Sequence, residues 1–321
     1  MVGGVHVLVL NHNGREQLAE CLPSVLACAR ASASPCQVTV IDNASTDDSV
    51  SFLRCNWPDL RVVQLPNHGL ASFNVLMREI HEPVAVLLNN DVRIDPGCFD
   101  RLAEVIERHP DCLMAGPHCW TFDGQYEGTW SELLFHRGLV HTRLRSEVPA
   151  GGGRNRGSQE ELRYTASAGA VLAVNREKFL ALGGFDPIFL PGRYEDLDLA
   201  FRGWLAGWKA LYVPAAVAHH RGSATFGVHF KTAKLQELDA RNGMLFAWKN
   251  LHEPQHLLAH VVFLALRLIR AIVLGQWEFL AACAQAGRRL RQIQCRRSGA
   301  PLRVRTESDV FRLLAAPNMV E

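Results

Sequence analysis

A single carboxylate closes a short apolar run in the first third of the chain. Residues Val84 to Leu88 read VAVLL, which is typical of a strand covered on both faces, and Asn89, Asn90 and Asp91 follow directly. Open α/β sheets bind ligands at the carboxyl ends of their strands. One carboxylate there, with room for water and a diphosphate, suits Mg²⁺ or Mn²⁺ held jointly by protein and substrate. Taken alone, these residues are more typical of an Asx turn that ends a strand.

Two other predicted strands also end in polar residues. Asp42 and Asn43 follow the segment QVTVI, and Asp42 is able to accept a hydrogen bond from a nucleobase or ribose. The hydroxyl residues just after them would cap the next helix, and helix capping by itself explains this motif. Asn67 and Gly69 follow the next strand. Glycine permits close approach of the backbone to a ligand, and Asn67 supplies a polar contact.

An acidic cluster marks a predicted helix start. Glu195, Asp196 and Asp198 lie within four residues of one another, shortly after the turn sequence GGFDP. The helix dipole favours carboxylates at this place, and their mutual repulsion raises at least one pKa. A carboxylate with a raised pKa is a useful general base near neutral pH. Acidic residues at helix starts are common for structural reasons alone, so the cluster needs support from other motifs.

Two adjacent histidines follow a predicted strand at 210–213. His219 or His220 is a candidate metal ligand at the end of that segment, although such a pair is more often structural.

Composition limits the function classes. The net charge of +2 excludes a chain that binds nucleic acid through overall positive charge. The nine cysteines are odd in number, scattered, and without a CxxC pair, which is typical of reduced cytosolic thiols. The chain begins with an apolar strand-like segment rather than a basic signal-peptide region, which also favours a cytoplasmic location.

Strands and helices alternate regularly through the first 115 residues. This pattern predicts parallel βαβ units, hence an α/β fold with a doubly wound, mostly parallel, Rossmann-like sheet. We predict strands at 5–10, 37–42, 61–65, 84–88 and 112–115, with helices at about 15–31 and 70–81. A short helix is predicted to begin near 46–48, and another, capped by Asp95 and Pro96, to run to Arg108. Residues 123–163 are less regular, and the polar segment 151–161 is predicted to be a surface loop.

The C-terminal part is predicted to be helical and basic. Leu257 to Leu274 is nearly all apolar, but Arg267 and Arg270 interrupt it, which favours an amphipathic helix over a membrane-spanning one. Seven arginines and no acidic residue lie between Glu278 and Glu307. Basic residues beside an apolar helix suggest contact of residues 257–305 with an anionic membrane surface, the alternative being a solvated basic tail.

Seven motifs in order resemble glycosyltransferase family 2, especially its bacterial rhamnosyltransferase-like branch. The resemblance covers about residues 5–225 and implies a GT-A fold with two halves, about 1–115 and 116–225, followed by a helical extension at 226–321. The motifs are NHN, VIDNASTDDS, NHGLA, LLNND, SAGAVLAVNREKFLALGGFDPIF, YEDLDLAFR and VPAAVAHHRGSAT.

The resemblance also implies roles for individual residues. Asp91 matches the metal ligand of the family's DXD-type motif, and Asp196 matches the general base, with Glu195 beside it. His219 is the better match to the histidine that contacts the metal or diphosphate, and His220 is its rival. The donor nucleotide would be bound by residues at the strand ends, namely Asn11, Asp42, Asn43, Asn67, Gly69, Asn89 and Asn90.

The implied activity is inverting sugar transfer for assembly of a cell-surface polysaccharide. The expected donor is a dTDP-, UDP- or GDP-sugar, with rhamnose as the first choice of sugar. The expected acceptor is a glycan or a lipid-linked glycan, and the expected cofactor is Mg²⁺ or Mn²⁺. The enzyme would work in the cytoplasm at the inner face of the cell membrane. Two alternatives remain: a sugar-1-phosphate nucleotidyltransferase, and a non-catalytic module that binds nucleotide sugar or glycan.

Overall fold

The computed structural model describes residues 3–145, 161–222, 232–298 and 303–315. Within these ranges, ten strands form one mixed sheet and two form a separate hairpin. The strands are β1 Val5–Asn11, β2 Cys36–Asn43, β3 Arg61–Leu65, β4 Val84–Asn89, β5 Val92–Ile94, β6 Cys112–Thr121, β7 Tyr126–Gly128, β8 Ser131–His136, β9 Leu139–Leu144, β10 Arg163–Tyr164, β11 Val171–Asn175 and β12 Lys209–His220.

The helices cover the sheet and form most of the described C-terminal part. They are α1 Arg15–Arg30, α2 Ser49–Asn56, α3 Phe73–Glu79, α4 Cys98–Arg108, α5 Arg176–Ala181, α6 Glu195–Leu205, α7 Thr232–Asn250, α8 Pro254–Leu274, α9 Trp277–Gly287, α10 Leu290–Ser298 and α11 Glu307–Ala315. Two short 3₁₀ turns, Gly69–Ser72 and Pro187–Phe189, precede α3 and α6.

The strand order places the predicted motifs at one edge of the sheet. The order is β10-β12-β6-β11-β4-β1-β2-β3, with β5 added to β12 and β7 to β6. Strands β3, β2, β1 and β4 pair in parallel, while β11 runs antiparallel between β4 and β6. The residues of VAVLL are all buried, as a strand covered on both faces requires. The predicted α/β class is therefore confirmed, but the sheet is mixed rather than mostly parallel, because β5, β7, β10 and β11 pair antiparallel with their neighbours.

The prediction of irregular structure at residues 123–163 is wrong for its first half. Strands β7, β8 and β9 occupy most of residues 126–144. The β8–β9 hairpin turns at Arg137 and Gly138, which have φ of 47° and 77°. Positive φ at both central residues is typical of a type I′ turn, but the usual sequence for it is Asn-Gly rather than Arg-Gly. The predicted surface loop at 151–161 lies almost wholly outside the described residues.

The C-terminal helices pack into the same hydrophobic core as α6. Leu245 and Phe246 of α7 are fully buried and belong to the same hydrophobic cluster as Phe201 of α6 and Leu314 of α11. Phe201 and Phe246 have ring centroids 5.2 Å apart. The domain boundary predicted at residue 225 lies outside the described residues, so the division into two parts stays a prediction.

Most of the C-terminal arginines are structural, which corrects the picture of a basic surface segment. Five of the seven predicted for this segment donate to groups on other elements or to a neighbouring carboxylate. These five are Arg289, Arg296, Arg297, Arg303 and Arg305. Arg288 and Arg291 are exposed.

Candidate active site

A buried hydrogen-bond chain joins the ends of β1, β2 and β4. The Asn90 amide donates to Asn11 Oδ1 at 2.7 Å, and Asn11 Nδ2 donates to Asp42 Oδ1 at 3.0 Å. The backbone N–H of Ser45 donates to the other oxygen of Asp42 at 3.0 Å. Asn11 and Asp42 are fully buried. Because both Asp42 oxygens already accept hydrogen bonds, its visible role is to hold the strand ends together, and its contact with a nucleobase stays a prediction.

A second set of polar groups surrounds the turn after β3. Asn43 is buried; its Nδ2 donates to the carbonyl of Gly69 at 3.1 Å, while its Oδ1 has no hydrogen-bond partner among the described residues. Gly69 has φ of 53°, a conformation that favours glycine. Asn67 is exposed and accepts the Gly69 N–H at 3.0 Å. The partly exposed Asn89 donates its backbone N–H to Ala170.

Asp91, His220 and Glu127 form the centre of the site. Asp91 is 2% exposed, and its Oδ1 lies 3.3 Å from His220 Nε2 but makes no well-formed hydrogen bond. His220 Nδ1 lies 2.8 Å from Glu127 Oε1. Burial lowers the pKa of His220, but the hydrogen bonds and charges of the two carboxylates outweigh it and raise the pKa to about 9. Glu127 is not among the site residues predicted from sequence, because it lies in a segment predicted to be irregular.

Of the two histidines, the structure brings His220 rather than His219 to Asp91. Consecutive strand residues point to opposite faces, so only one of the pair is able to face this carboxylate. His219 Nε2 lies 3.3 Å from the exposed Asp95 instead. The choice of His219 as the metal contact is therefore not the one that the geometry favours.

The chain before α6 is held in an unusual conformation. Arg193 and Tyr194 both have positive φ, 76° and 77°, directly before Glu195. Non-glycine residues rarely adopt this conformation, and such strain is concentrated at functional sites. Asn242 of α7 holds the segment in place: its Nδ2 lies 2.7–2.9 Å from the carbonyl oxygens of Phe189, Gly192 and Arg193.

The two acids at the start of α6 differ in environment. Glu195 is 4% exposed, and burial raises its pKa to about 8. Nearby carboxylates raise that pKa further, while its own backbone N–H and Arg241 oppose the rise. Asp196 is partly exposed; burial raises its pKa too, and hydrogen bonds with Ser167 and the backbone of Gly169 oppose that rise. Asp196 is therefore the carboxylate of the two that is open to a ligand.

The third acid of the cluster, Asp198, is structural. It is fully buried and accepts hydrogen bonds from Arg202 at 2.8 Å, Lys249 at 2.8 Å and Asn250 at 2.9 Å. Burial acts to raise the pKa of Asp198, but the charges of Arg202 and Lys249 outweigh it and hold the pKa below its usual range. This cluster fastens α7 to α6.

One cavity connects the metal-ligand candidates with the candidate base. It has a volume of about 200 Å³, and Glu127 and His220 line it together with Ser167 and Gly169. Ser167 and Gly169 are the residues that hydrogen-bond to Asp196. A larger cavity of about 450 Å³ lies along the opposite end of α6, and its lining includes none of the predicted site residues. The smaller cavity is the one with groups suited to catalysis.

The donor set fits a hard divalent cation. Asp91 Oδ1 is buried and lacks a hydrogen-bond partner among the described residues, and His220 Nε2 lies 3.3 Å from it, whereas Glu127 contacts the opposite nitrogen of the His220 ring. Carboxylate oxygens suit Mg²⁺ and Mn²⁺, and imidazole is tolerated by Mn²⁺.

Comparison with known proteins identifies the family. A family profile described as "Glycosyltransferase like family 2" matches residues 3–240. The chain belongs to glycosyltransferase family 2. This glycosyltransferase is 28% identical over 211 residues to the N-acetylglucosaminyl-diphospho-decaprenol L-rhamnosyltransferase of Mycobacterium tuberculosis, covering 60% of this chain and 68% of that protein. It is also 34% identical over 88 residues to N-acetylgalactosaminyltransferase 7 of Drosophila melanogaster, 27% of this chain and 15% of that protein.

Solved structures show the same fold. The S. aureus TarS 1-349 structure in complex with UDP-GlcNAc matches with a TM-score of 0.55 at 14% identity, covering 91% of this chain and 83% of that one. The GalNAc-T7 structure with UDP, GalNAc and Mn²⁺ matches with a TM-score of 0.54 at 18% identity. That match covers 68% of this glycosyltransferase but only 44% of the GalNAc-T7 chain. The family prediction and the GT-A fold are confirmed, and the nucleotidyltransferase and non-catalytic alternatives are set aside.

Proposed function

We propose that this glycosyltransferase moves a sugar from a nucleotide-diphosphate sugar to a glycan or lipid-linked acceptor, with inversion at the anomeric carbon. The observation that carries the proposal is a cavity lined by His220 and Glu127 together with Ser167 and Gly169. Asp91 lies 3.3 Å from His220, and Asp196 hydrogen-bonds to Ser167 and to the backbone of Gly169. Candidate metal ligands and a candidate general base beside one cavity match the needs of single displacement, in which no enzyme nucleophile takes part.

The donor side would hold Mg²⁺ or Mn²⁺ through Asp91 and His220. When bound, such a cation neutralises the negative charge that grows on the leaving diphosphate. Asn90 and Asn11 hold the strand ends in register, which orients Asp91. The partly exposed Asn89 and the unpartnered Asn43 Oδ1 are available to the nucleotide.

Asp196 would take the proton of the acceptor hydroxyl. Its raised pKa favours proton transfer near neutral pH, and general base catalysis contributes about 10²–10⁴ in rate. Glu195, buried and with a pKa of about 8, is protonated at pH 7 and so is unsuited to the same role. Glu195 would instead keep the start of α6 in place.

Rhamnose is the proposed sugar because the relative named above is an L-rhamnosyltransferase. The same relative's name includes a diphospho-decaprenol, which supports a lipid-linked acceptor and a place in assembly of a cell-surface polysaccharide. The nucleotide of the donor is dTDP, UDP or GDP.

Donor turnover in single variants tests the proposal. Released nucleotide is measured with dTDP-rhamnose and with a panel of UDP- and GDP-sugars, with Mn²⁺ or with chelator. Asp91→Ala is expected to abolish turnover and to remove the metal dependence of donor binding. Asp196→Asn is expected to bind donor normally but to lose about two to four orders of magnitude in rate. Asp95→Asn, which removes the exposed partner of His219, is the matched control.

Three results would contradict these assignments. Full activity in the presence of chelator, or full activity of Asp91→Ala, would refute the proposed role of the cation. Near-normal turnover of Asp196→Asn, together with an inactive Glu195→Gln, would give the base role to the other carboxylate. Loss of activity in His219→Ala but not in His220→Ala would restore His219 as the metal contact.

We also propose that α8 lies in the plane of the cytoplasmic membrane surface. This helix is long and apolar enough to cross a membrane by length and composition, with a mean hydropathy of 2.2. Its apolar residues nevertheless face outward in a single stripe with helical spacing, 48–76% exposed. The stripe consists of Leu258, Val261, Val262, Leu266, Ile269, Ile272 and Val273. A contiguous exposed apolar face of this kind indicates an interaction surface.

The opposite face of α8 carries protein contacts, which favours lying on the membrane over crossing it. His260 is buried; its Nδ1 lies 2.6 Å from the Gly138 carbonyl, and it accepts the Trp248 indole N–H. Ala271 is also buried. The exposed Arg270 lies beside the stripe, where its side chain would reach lipid phosphates.

Binding to lipid vesicles tests the α8 proposal. Leu266→Gln with Ile269→Gln is expected to weaken binding to phosphatidylglycerol vesicles, whereas Val304→Gln, at an exposed apolar residue outside the stripe, is not. Arg288→Glu and Arg291→Glu should each reduce binding by more than about fivefold, since a basic residue near an anionic surface contributes about 1 kcal/mol and the new carboxylate is repelled as well. A wild-type protein that does not bind these vesicles at low salt would refute the proposal.

A further inference from the structure

Glu127 is a partly exposed residue, and only one of its two carboxylate oxygens makes a hydrogen bond. Its Oε1 lies 2.8 Å from His220 Nδ1, while its Oε2 is buried and has no hydrogen-bond partner among the described residues. Gly222 leaves room for it, because a Cβ at that position would come within 2.9 Å of Glu127 Oε1. A carboxylate with one oxygen on a histidine and the other buried without a partner is placed by the fold for an interaction.

The β6–β7 hairpin brings Glu127 to the site. Strand β7 pairs antiparallel with β6, and β6 pairs in parallel with β12, where Thr121 lies opposite His220. Glu127 lies next to Gly128, which pairs with Cys119. The hairpin therefore places Glu127 beside the last residue of β12, although 93 residues separate them in sequence.

We propose that Glu127 is a positioning residue that fixes the tautomer and ring orientation of His220. When Nδ1–H donates to Glu127, Nε2 is the nitrogen that faces Asp91 and that would bind a cation after losing its proton. A carboxylate behind a metal-binding histidine acts in this way in many metal sites, where its loss weakens metal affinity 10–100-fold. The inference rests on the cation of the proposed function, and it assigns Glu127 an indirect role rather than a place among the ligands.

The principal rival is direct coordination of the cation by Glu127. The two roles differ in what they require of His220. A positioning residue acts only while His220 is present, whereas a ligand contributes with or without it. They also differ in what glutamine is able to replace, since its amide oxygen still accepts the Nδ1 hydrogen but is a poor substitute for a carboxylate ligand.

A double-mutant cycle on Mn²⁺ affinity separates these roles. Mn²⁺ is titrated into the full-length protein, alone and with dTDP, and free Mn²⁺ is followed by its paramagnetic resonance signal. The variants are Glu127→Ala, Glu127→Gln, His220→Ala and the double variant Glu127→Ala/His220→Ala. Asp123→Asn, an exposed carboxylate on the same hairpin, is the control for a change of charge.

Glu127→Ala is expected to weaken Mn²⁺ binding about 10–100-fold, and Glu127→Gln clearly less. In the His220→Ala background, Glu127→Ala should have almost no further effect, because the histidine that it orients is gone. Additive losses in the double variant, or equal losses for the Ala and Gln variants, would overturn the proposal in favour of direct coordination.

Binding of no Mn²⁺ by the wild-type protein under either condition would also overturn it. Sugar transfer by the wild-type protein with an additive cycle would refute the role of Glu127 while leaving the proposed function intact.

Discussion

Replacing Glu195 by glutamine is expected to change how the stability of the folded protein depends on pH. Glu195 is 4% exposed, and burial raises its pKa to about 8 from an ordinary 4.5. Between these values the unfolded chain releases the proton while the folded protein keeps it. Since the unfolded state binds fewer protons in this range, the free energy of unfolding falls as pH rises from about 4.5 to about 8. Below about pH 4.5, Glu195 is protonated in both the folded and the unfolded state, so the free energy of unfolding no longer changes with pH through this residue.

The size of the effect follows from the same two values. Each pH unit within the range costs the folded protein up to about 1.36 kcal/mol, so between pH 5.5 and 7.5 the loss is about 2–3 kcal/mol. Glutamine has nearly the same shape and does not titrate, so Glu195→Gln escapes this loss. Relative to the wild type, the variant should therefore gain about 2–3 kcal/mol between these two pH values.

Urea denaturation of both proteins at several pH values measures the difference. Other titrating groups are common to both proteins and cancel to first order, which leaves the contribution of Glu195. A difference that stays constant between pH 5.5 and 7.5 would show that Glu195 is ionised in the folded protein throughout. The argument that only Asp196 is free to accept a proton would then fail.

Three further substitutions test the packing around the site. Asp198→Ala removes the carboxylate that pairs with the buried Arg202 and Lys249, of which only Lys249 keeps a second carboxylate, that of Asp186. The variant should cost about 3–5 kcal/mol in urea denaturation, whereas a loss below about 1 kcal/mol would show that the cluster is not buried as described. Asn242→Ala removes three contacts to the segment before α6, so turnover should fall while circular dichroism is unchanged; unaltered turnover would count against that role. Gly14→Ala would place a Cβ 1.9 Å from the Asn90 amide and should weaken donor binding in calorimetry, while Gly287→Ala, in open space, should not.

That the polar residues at the ends of β1, β2 and β4 lie together was predictable from the sequence, because the carboxyl ends of parallel neighbouring strands lie at the same edge of a sheet. Once β1, β2 and β4 are recognised as parallel neighbours, their carboxyl ends must meet. Asn11, Asp42 and Asn90 accordingly lie in one hydrogen-bond chain. This part of the site depends only on local sequence and on the handedness of βαβ units.

The choice between His219 and His220 was not predictable in the same way. The pairing of β12 with β6 shifts between Val213 and Val217, so the face of each later residue cannot be counted from the start of the strand. A bulge or irregularity of this kind reverses the alternation that sequence reasoning relies on. The register of β12 with its neighbours decides which histidine meets Asp91, and that register is a tertiary property.

Glu127 was missed for a related reason. Its significance depends on a contact with His220 across 93 residues, and its own strand, β7, has only three residues. A strand this short has no periodic pattern to recognise.

Some arginines near the C-terminus stabilise the fold, whereas others lie on the surface. Arg297 donates to the Trp248 and Leu251 carbonyls at the end of α7, and Arg305 donates to the Trp204 carbonyl near the end of α6. Helix C-termini leave carbonyls without partners, and cations bind there favourably. Charge reversal at these arginines would therefore disturb the fold that holds the candidate base.

Arg288 and Arg291 are exposed, and a charge reversal there changes the surface without touching those helix ends. Only substitutions at such exposed residues separate loss of membrane binding from loss of structure. The sequence shows where the arginines are but not the backbone carbonyls to which they donate. For this reason sequence reasoning predicts a basic surface over the whole arginine-rich segment.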